Sequence, residues 1–244
     1  MKILAVSDKE NLQLQSSILK NMDVFKNIDA IVSCGDLSKN YLEFLVDSIK
    51  KELFFVEGNH PVKKISVKSC FEKIVSKVYE NEPYFDYGGI NLHSRIHTYN
   101  NYIFVGFEGA MKYNGKSFQY SEKEMSKIVN KVSSAIKKQQ FLDFMFRKKK
   151  KEIIVISHAP IAQIHDKSDI CHQGFECFRK FIDKFNPILW LHGHIHYEGQ
   201  TNEQISRLNN TLVVNAYGVH LIDISNGKIN IKSNAKIFNL TSAD

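Results

Sequence analysis

The stretch KILAVSDKE, residues 2–10, sets an unbroken apolar run directly before a polar cluster, Ser7-Asp8-Lys9-Glu10. A strand with one wet face alternates apolar and polar residues, whereas a continuously apolar run suits a strand buried on both faces of a sheet. The same arrangement recurs four more times. Residues 30–33 lead into Gly35-Asp36, residues 53–56 into Gly58-Asn59-His60, residues 153–156 into Ser157-His158-Ala159-Pro160, and residues 188–191 into Gly193-His194-Ile195-His196. Parallel strands place their carboxyl ends along one edge, where ligands of open α/β sheets sit. Carboxylates, an amide and imidazoles far apart in sequence are therefore expected to converge there.

Between these landmarks the pattern alternates strand and helix, with strands at 2–6, 29–33 and 52–56 and helices near 11–21 and 40–51. A helical or irregular segment is expected over 65–79. Short strands at 90–93, 95–99 and 102–106 read as a second, meandering sheet. Ser121-Glu122-Lys123-Glu124 has capping-box spacing and opens a long helix reaching about residue 147. A long loop follows residues 153–157, a helix spans 174–185, and strands at 188–191, 211–215, 219–224 and 228–232 close the chain. The expected fold class is α/β, two mixed β-sheets packed as a sandwich flanked by helices, in a single domain over residues 1–244.

Hydrophobic content of 43% with 24% charged residues fits a soluble globular chain, and no apolar run approaches the roughly 18 residues of a membrane span. No membrane partner is expected. The first strand ends in candidate ligands, so a cleaved targeting role for it is not expected either, and a cytoplasmic location follows. Cys34, Cys70, Cys171 and Cys177 show no C-x-x-C pair and read as reduced bystanders. The net charge of +7 favours anionic partners only modestly, and its densest cluster, RKKKK at 147–151, falls where a helix should end. With no aromatic residues interleaved, it reads as a solvated helix end, and nucleic acid is not the favoured partner.

Taken in order, the D-x-E of Asp8 and Glu10, the G-D of Asp36, the G-N-H of Asn59 and His60, the lone His158 and the G-H-x-H of His194 and His196 resemble the signature of the calcineurin-like metallophosphoesterases. The Ser7-Asp8-Lys9-Glu10 start, with His165, Gly174-Phe175 and Phe178-Arg179 leading to residues 191–196, is similar to a group of small bacterial predicted phosphoesterases. The resemblance implies an enzyme that hydrolyses phosphomonoesters or phosphodiesters with two divalent ions, by in-line attack of metal-bound hydroxide. Two such ions, roughly 3.5–4 Å apart, clamp a phosphoryl group and generate a hydroxide near neutral pH. It assigns Asp36 as the bridge, Asp8, Glu10 and His196 to one ion, and Asn59, His158 and His194 to the other. His60 is implied to face the substrate and protonate the leaving oxygen. His165, Asp166, Asp169, His172 and Lys39 are candidates for the substrate rim, while His192 and His220 read as structural.

Glu10 stands where the family usually has His, which lowers the net charge of the site and favours Mn²⁺, with Fe, Zn, Ni or Mg as alternatives. Pro61 stands where many relatives have Asp or Glu, and Lys39 where some carry the acidic residue that orients the histidine. Two rival functions are a phosphoesterase-like interaction module with little catalysis, and a nuclease that the positive charge weakly permits.

Overall fold

The computed structural model describes residues 1–60, 85–197 and 204–233. The chain begins β1 (Lys2–Ser7), α1 (Leu12–Lys20), β2 (Ala30–Ser33), α2 (Lys39–Ile49) and β3 (Glu52–Phe55). It continues through β4 (Phe85–Asp86), β5 (Gly89–Asn91), β6 (Ile96–Tyr99), β7 (Tyr102–Phe107), β8 (Ala110–Met111) and β9 (Gln119–Tyr120) to the long α3 (Glu122–Met145). Then come β10 (Glu152–Ser157), α4 (Glu176–Phe185), β11 (Leu189–His192), β12 (Ile205–Leu208), β13 (Thr211–Asn215), β14 (Gly218–Ser225) and β15 (Lys228–Ser233).

Two mixed sheets result, one ordered β15-β14-β1-β2-β3-β5-β4 and the other β12-β13-β11-β10-β7-β6, beside a small β8-β9 ribbon. Strands β1, β2, β3 and β5 are parallel in the first sheet, and β7, β10, β11 and β13 in the second. Alternate residues of each central strand serve different cores, which is why the runs are apolar throughout. In β1, Ile3 and Ala5 face the layer between the sheets, whereas Leu4 and Val6 lie under α1 and α2 with Leu14, Ile18, Leu42 and Leu45. In β10, Ile154 and Ile156 join the inner layer, while Ile153 and Val155 pack with Trp190 against Val132 of α3 and Phe178 and Phe181 of α4.

Local signals explain the helix ends. The Ser38 hydroxyl accepts the Tyr41 amide at 3.2 Å to start α2. Both halves of the capping box read from Ser121 and Glu124 are present at the start of α3. Helix α4 starts at Glu176, two residues later than expected, and its first amides are received by the Glu122 carboxylate, with Cys177 N at 2.8 Å.

One strand assignment changes. The sequence pattern puts residues 90–93 in the second sheet, but β5 lies parallel to β3 in the first, with Phe54 opposite Ile90. The chain crosses between sheets only after it, where the Leu92 amide still reaches Phe55 O at 2.9 Å and His93 bridges to Gly106. The second sheet also gains β12, antiparallel to β13, which the sequence pattern does not signal. The expected segment over 65–79, Pro61 and Cys70 lie outside the described residues.

Phe104 and Phe54 join the two sheets through stacked rings with centroids 4.5 Å apart, both wholly buried. Phe104→Ala is expected to lower unfolding free energy by about 3–5 kcal/mol in urea titrations, and Phe104→Leu by clearly less.

Candidate metal centre

The parallel strands of both sheets end on one shared edge, and the polar clusters follow those ends. The loops are stitched by backbone bonds: Asp8 N to Gly35 O at 3.1 Å, Gly193 N to His158 O at 3.1 Å, and, between the sheets, Gly109 N to Glu57 O at 2.9 Å. Three of the candidate ligands, Asp8, Asp36 and His194, have left-handed backbone with φ of 61°, 55° and 68°. A non-glycine residue there carries strain that persists only when its surroundings hold it, and such strain concentrates at functional sites.

Hydrogen bonds to neighbouring loops provide that hold. Both Asp8 oxygens accept the His194 amide, at 3.1 and 3.0 Å. Asp36 Oδ1 accepts the His60 amide at 2.9 Å, and its Oδ2 lies 3.4 Å from His158 Nε2. Close approach also demands two glycines. A Cβ on Gly58 would overlap the Asp36 carboxylate, and one on Gly193 would stand 2.5 Å from Asp8 Oδ2.

His158 is wholly buried, with Nδ1 2.7 Å from Cys34 O and Nε2 2.9 Å from Asn59 Oδ1. A carbonyl can only accept, so Nδ1 keeps its proton and Nε2 is the atom a metal would take. Asn59 presents Oδ1 to His158 while its Nδ2 donates to the Tyr113 hydroxyl at 3.2 Å. His194 repeats the device in the other sense, donating Nε2–H to Cys171 O at 2.6 Å and leaving Nδ1 without a hydrogen bond among the described residues. Ligand atoms of Asp8, Asp36 and His158 lie within 4.8 Å of one another, and His196 Nε2 is 3.6 Å from Asp8 Oδ1. Two carboxylates and a buried imidazole around one point form a donor set that suits a divalent cation.

Charge follows the same geometry. Burial alone would lower the pKa of His158, but the charge and hydrogen bond of Asp36, helped by Asp8 and the Cys34 carbonyl, raise it to about 9. Burial would raise Asp36, yet His158 and the His60 amide hold it at about 2. Burial, reinforced by the His158 charge, pushes His194 down to about 4 and keeps it neutral. A hydrogen bond to Asp8 lifts His196 above its ordinary value.

The other candidates are placed less centrally. Glu10 is exposed, with Oε1 accepting the Ser38 amide at 3.3 Å, and Lys39 is exposed beside Glu43 at 3.5 Å. His165 Nδ1 meets His192 Nε2 at 2.9 Å and its Nε2 meets Ser206 Oγ at 2.8 Å. Asp166 Oδ2 receives the Gly174 amide at 3.2 Å. Asp169 Oδ1 holds His172 Nδ1 at 2.6 Å, and the His172 ring lies 5.2 Å from that of His194. Of the rim candidates, the structure therefore brings the Asp169–His172 pair beside the cluster. Buried His192 also contacts Gly193 O at 3.0 Å, whereas the nitrogens of buried His220 have no hydrogen-bond partner among the described residues. Sequence reasoning missed Tyr113 and the carbonyls of Cys34 and Cys171, for which the residue pattern carries no signal.

Comparison with known proteins points the same way. Residues 1–198 match the sequence model of the family described as calcineurin-like phosphoesterase. No curated protein matches the sequence. Among solved structures, TT1561 of Thermus thermophilus is similar at TM-score 0.58 and 15% identity, over 95% of this chain and 97% of that one. A dimetal phosphatase from Danio rerio is similar at TM-score 0.55 and 11% identity, over 95% of each chain. These likenesses show the fold.

The ion pair sets a pH dependence for metal-free protein. His158 is raised above its unfolded value, so its contribution is full below about pH 6.5 and is lost as pH rises through about 9. Asp36 is depressed, so its contribution is full above about pH 4 and is lost as pH falls through about 2. Urea melts of metal-free protein should show stability falling from about pH 6.5 to 9, and Asp36→Asn should flatten that fall.

Proposed function

The chain belongs to the calcineurin-like phosphoesterase family, and from that premise we propose that it is a binuclear metal-dependent hydrolase of phosphomonoesters or phosphodiesters. The observation that carries this reading is the gathering of Asp8, Asp36 and His158 from three separate strand ends. Asp36, Asp8, Glu10 and His196, together with Asn59, His158 and His194, would hold the two ions, with the Asp36 carboxylate shared between them. Two divalent ions held there would clamp a phosphoryl group and supply a hydroxide nucleophile for in-line attack near neutral pH. Mn²⁺ is the proposed metal, because carboxylate and amide oxygens outnumber imidazole nitrogens on the bridge and its neighbours.

The chain's own residues do the positioning. The Cys34 and Cys171 carbonyls hold the tautomers of His158 and His194, and Tyr113 holds the Asn59 amide. His60 is tied to Asp36 by its backbone while its exposed side chain is left to reach a ligand. We assign it contact with the phosphoryl oxygens and proton donation to the leaving oxygen. His172 and Asp169 then form part of the substrate rim, together with Lys39, His165 and Asp166. The described cysteines are free thiols, in keeping with a cytoplasmic setting.

Metal binding at His158 must displace its proton, so apparent affinity for Mn²⁺ should rise about tenfold per pH unit below about pH 9, with proton release visible to an indicator dye. Purified protein with Mn²⁺ should hydrolyse 4-nitrophenyl phosphate or bis(4-nitrophenyl) phosphate. Asp36→Asn should abolish turnover, and His60→Ala should bind Mn²⁺ normally yet turn over about 10²-fold more slowly. Turnover that persists in excess chelator would refute the proposal.

A further inference from the structure

The far end of α3 is built unlike the rest of the surface. Its buried face runs through Met125, Val129, Val132 and Ile136, but its last turn overruns the core. There Phe141, Phe144, Met145 and Phe146 are 61%, 77%, 60% and 70% exposed, with Leu142 beside them at 38%. At about 100° per residue these five side chains cover an arc of roughly 200° on the side away from the core. Single exposed apolar residues are ordinary, whereas five contiguous ones mark a contact surface.

Basic residues surround this tip. Arg147, Lys148, Lys149 and Lys150 follow at once, all exposed, and none has an ion-pair partner among the described residues. Lys151 alone is neutralised, 2.7 Å from the buried Asp143. The solvent face leading to this tip adds Lys123, Lys127, Lys131, Lys137 and Lys138. Ten basic and three acidic residues between Glu122 and Lys151 carry a net +7, equal to that of the whole chain. Aromatic and aliphatic side chains that can enter an acyl boundary, ringed by cations, match a bilayer carrying anionic headgroups.

We propose that the C-terminal tip of α3 docks on an anionic lipid surface. The absence of a helix long and apolar enough to cross a membrane among the described residues does not bear on this, since surface docking needs none. Orientation follows from topology. The helix delivers the chain to Glu152, the start of β10, whereas the ligand His158 follows that strand's other end. A docked molecule therefore turns its metal-binding edge away from the lipid and toward solution.

Vesicle sedimentation of the full chain tests this, with phosphatidylcholine alone and with about one third phosphatidylglycerol. Binding is expected only to the anionic vesicles, and to weaken as salt rises. Lys148→Glu with Lys149→Glu should weaken it by about fivefold or more for each cation lost. Phe144→Ser with Phe146→Ser should also release the protein, while both variants keep the parent's nitrophenyl ester turnover and melting temperature. No vesicle binding, equal binding to neutral vesicles, or binding indifferent to the phenylalanines would overturn the proposal. Nucleic-acid binding in place of vesicle binding, or a dimer in light scattering that the Phe144→Ser, Phe146→Ser variant dissolves, would assign the tip to a different partner and overturn it as well.

Discussion

A buried imidazole from one sheet touches a carboxylate, an amide and a carbonyl from the other. His158 follows β10, yet its nitrogens meet Cys34 O and Asn59 Oδ1 and approach Asp36 Oδ2, all of which follow strands of the first sheet. Burying a titratable ring costs free energy unless every polar atom is paired. That cost constrains the loops around it. Gly58 must lack a side chain so that Asp36 can lie alongside, and Asp36 must hold a strained backbone to aim its carboxylate at the ring.

The same constraint prepares the cluster for a cation. Asp36 and His158 shift each other's protonation in opposite directions, the outcome of holding opposite charges together out of water. Backbone carbonyls engage Nδ1 of His158 and Nε2 of His194, and so fix which nitrogen of each ring is turned the other way. Carbonyl oxygens cannot change protonation, so the orientation of both rings is set by the fold itself. The molecule is also polar at a larger scale. Strand carboxyl ends gather carboxylates and imidazoles at one edge, while α3 carries its apolar and basic tip toward the opposite one.

Much of this is visible in the residue string, for reasons that can be named. Asp8, Asp36 and His158 each follow a continuously apolar run, and such runs are buried strands whose ends share an edge. Ser121 and Glu124 announce the start of α3 because a capping box is local chemistry. The pattern puts residues 90–93 in the wrong sheet because a three-residue strand carries too little periodicity to name its partner. Strand β12 has half-buried and exposed residues with no run to mark it. That His165 meets His192 and Ser206, from a strand end and an edge strand, is likewise set by contacts between distant segments.

The phenylalanines at 141, 144 and 146 illustrate the division. Their identity and spacing are written in the chain, but their exposure depends on α3 outrunning the sheet it covers. The amino-acid sequence alone determined the buried strands, the polar clusters at their ends and the set of side chains able to hold a cation, because these follow from local periodicity and residue chemistry. Only the tertiary structure decided that strand ends from two sheets meet at one point. It also decided which ring nitrogens the backbone carbonyls engage, that Tyr113 meets the Asn59 amide, and that an apolar tip stands bare among lysines. Those outcomes depend on contacts between residues distant in the chain, and local pattern carries no record of such distances.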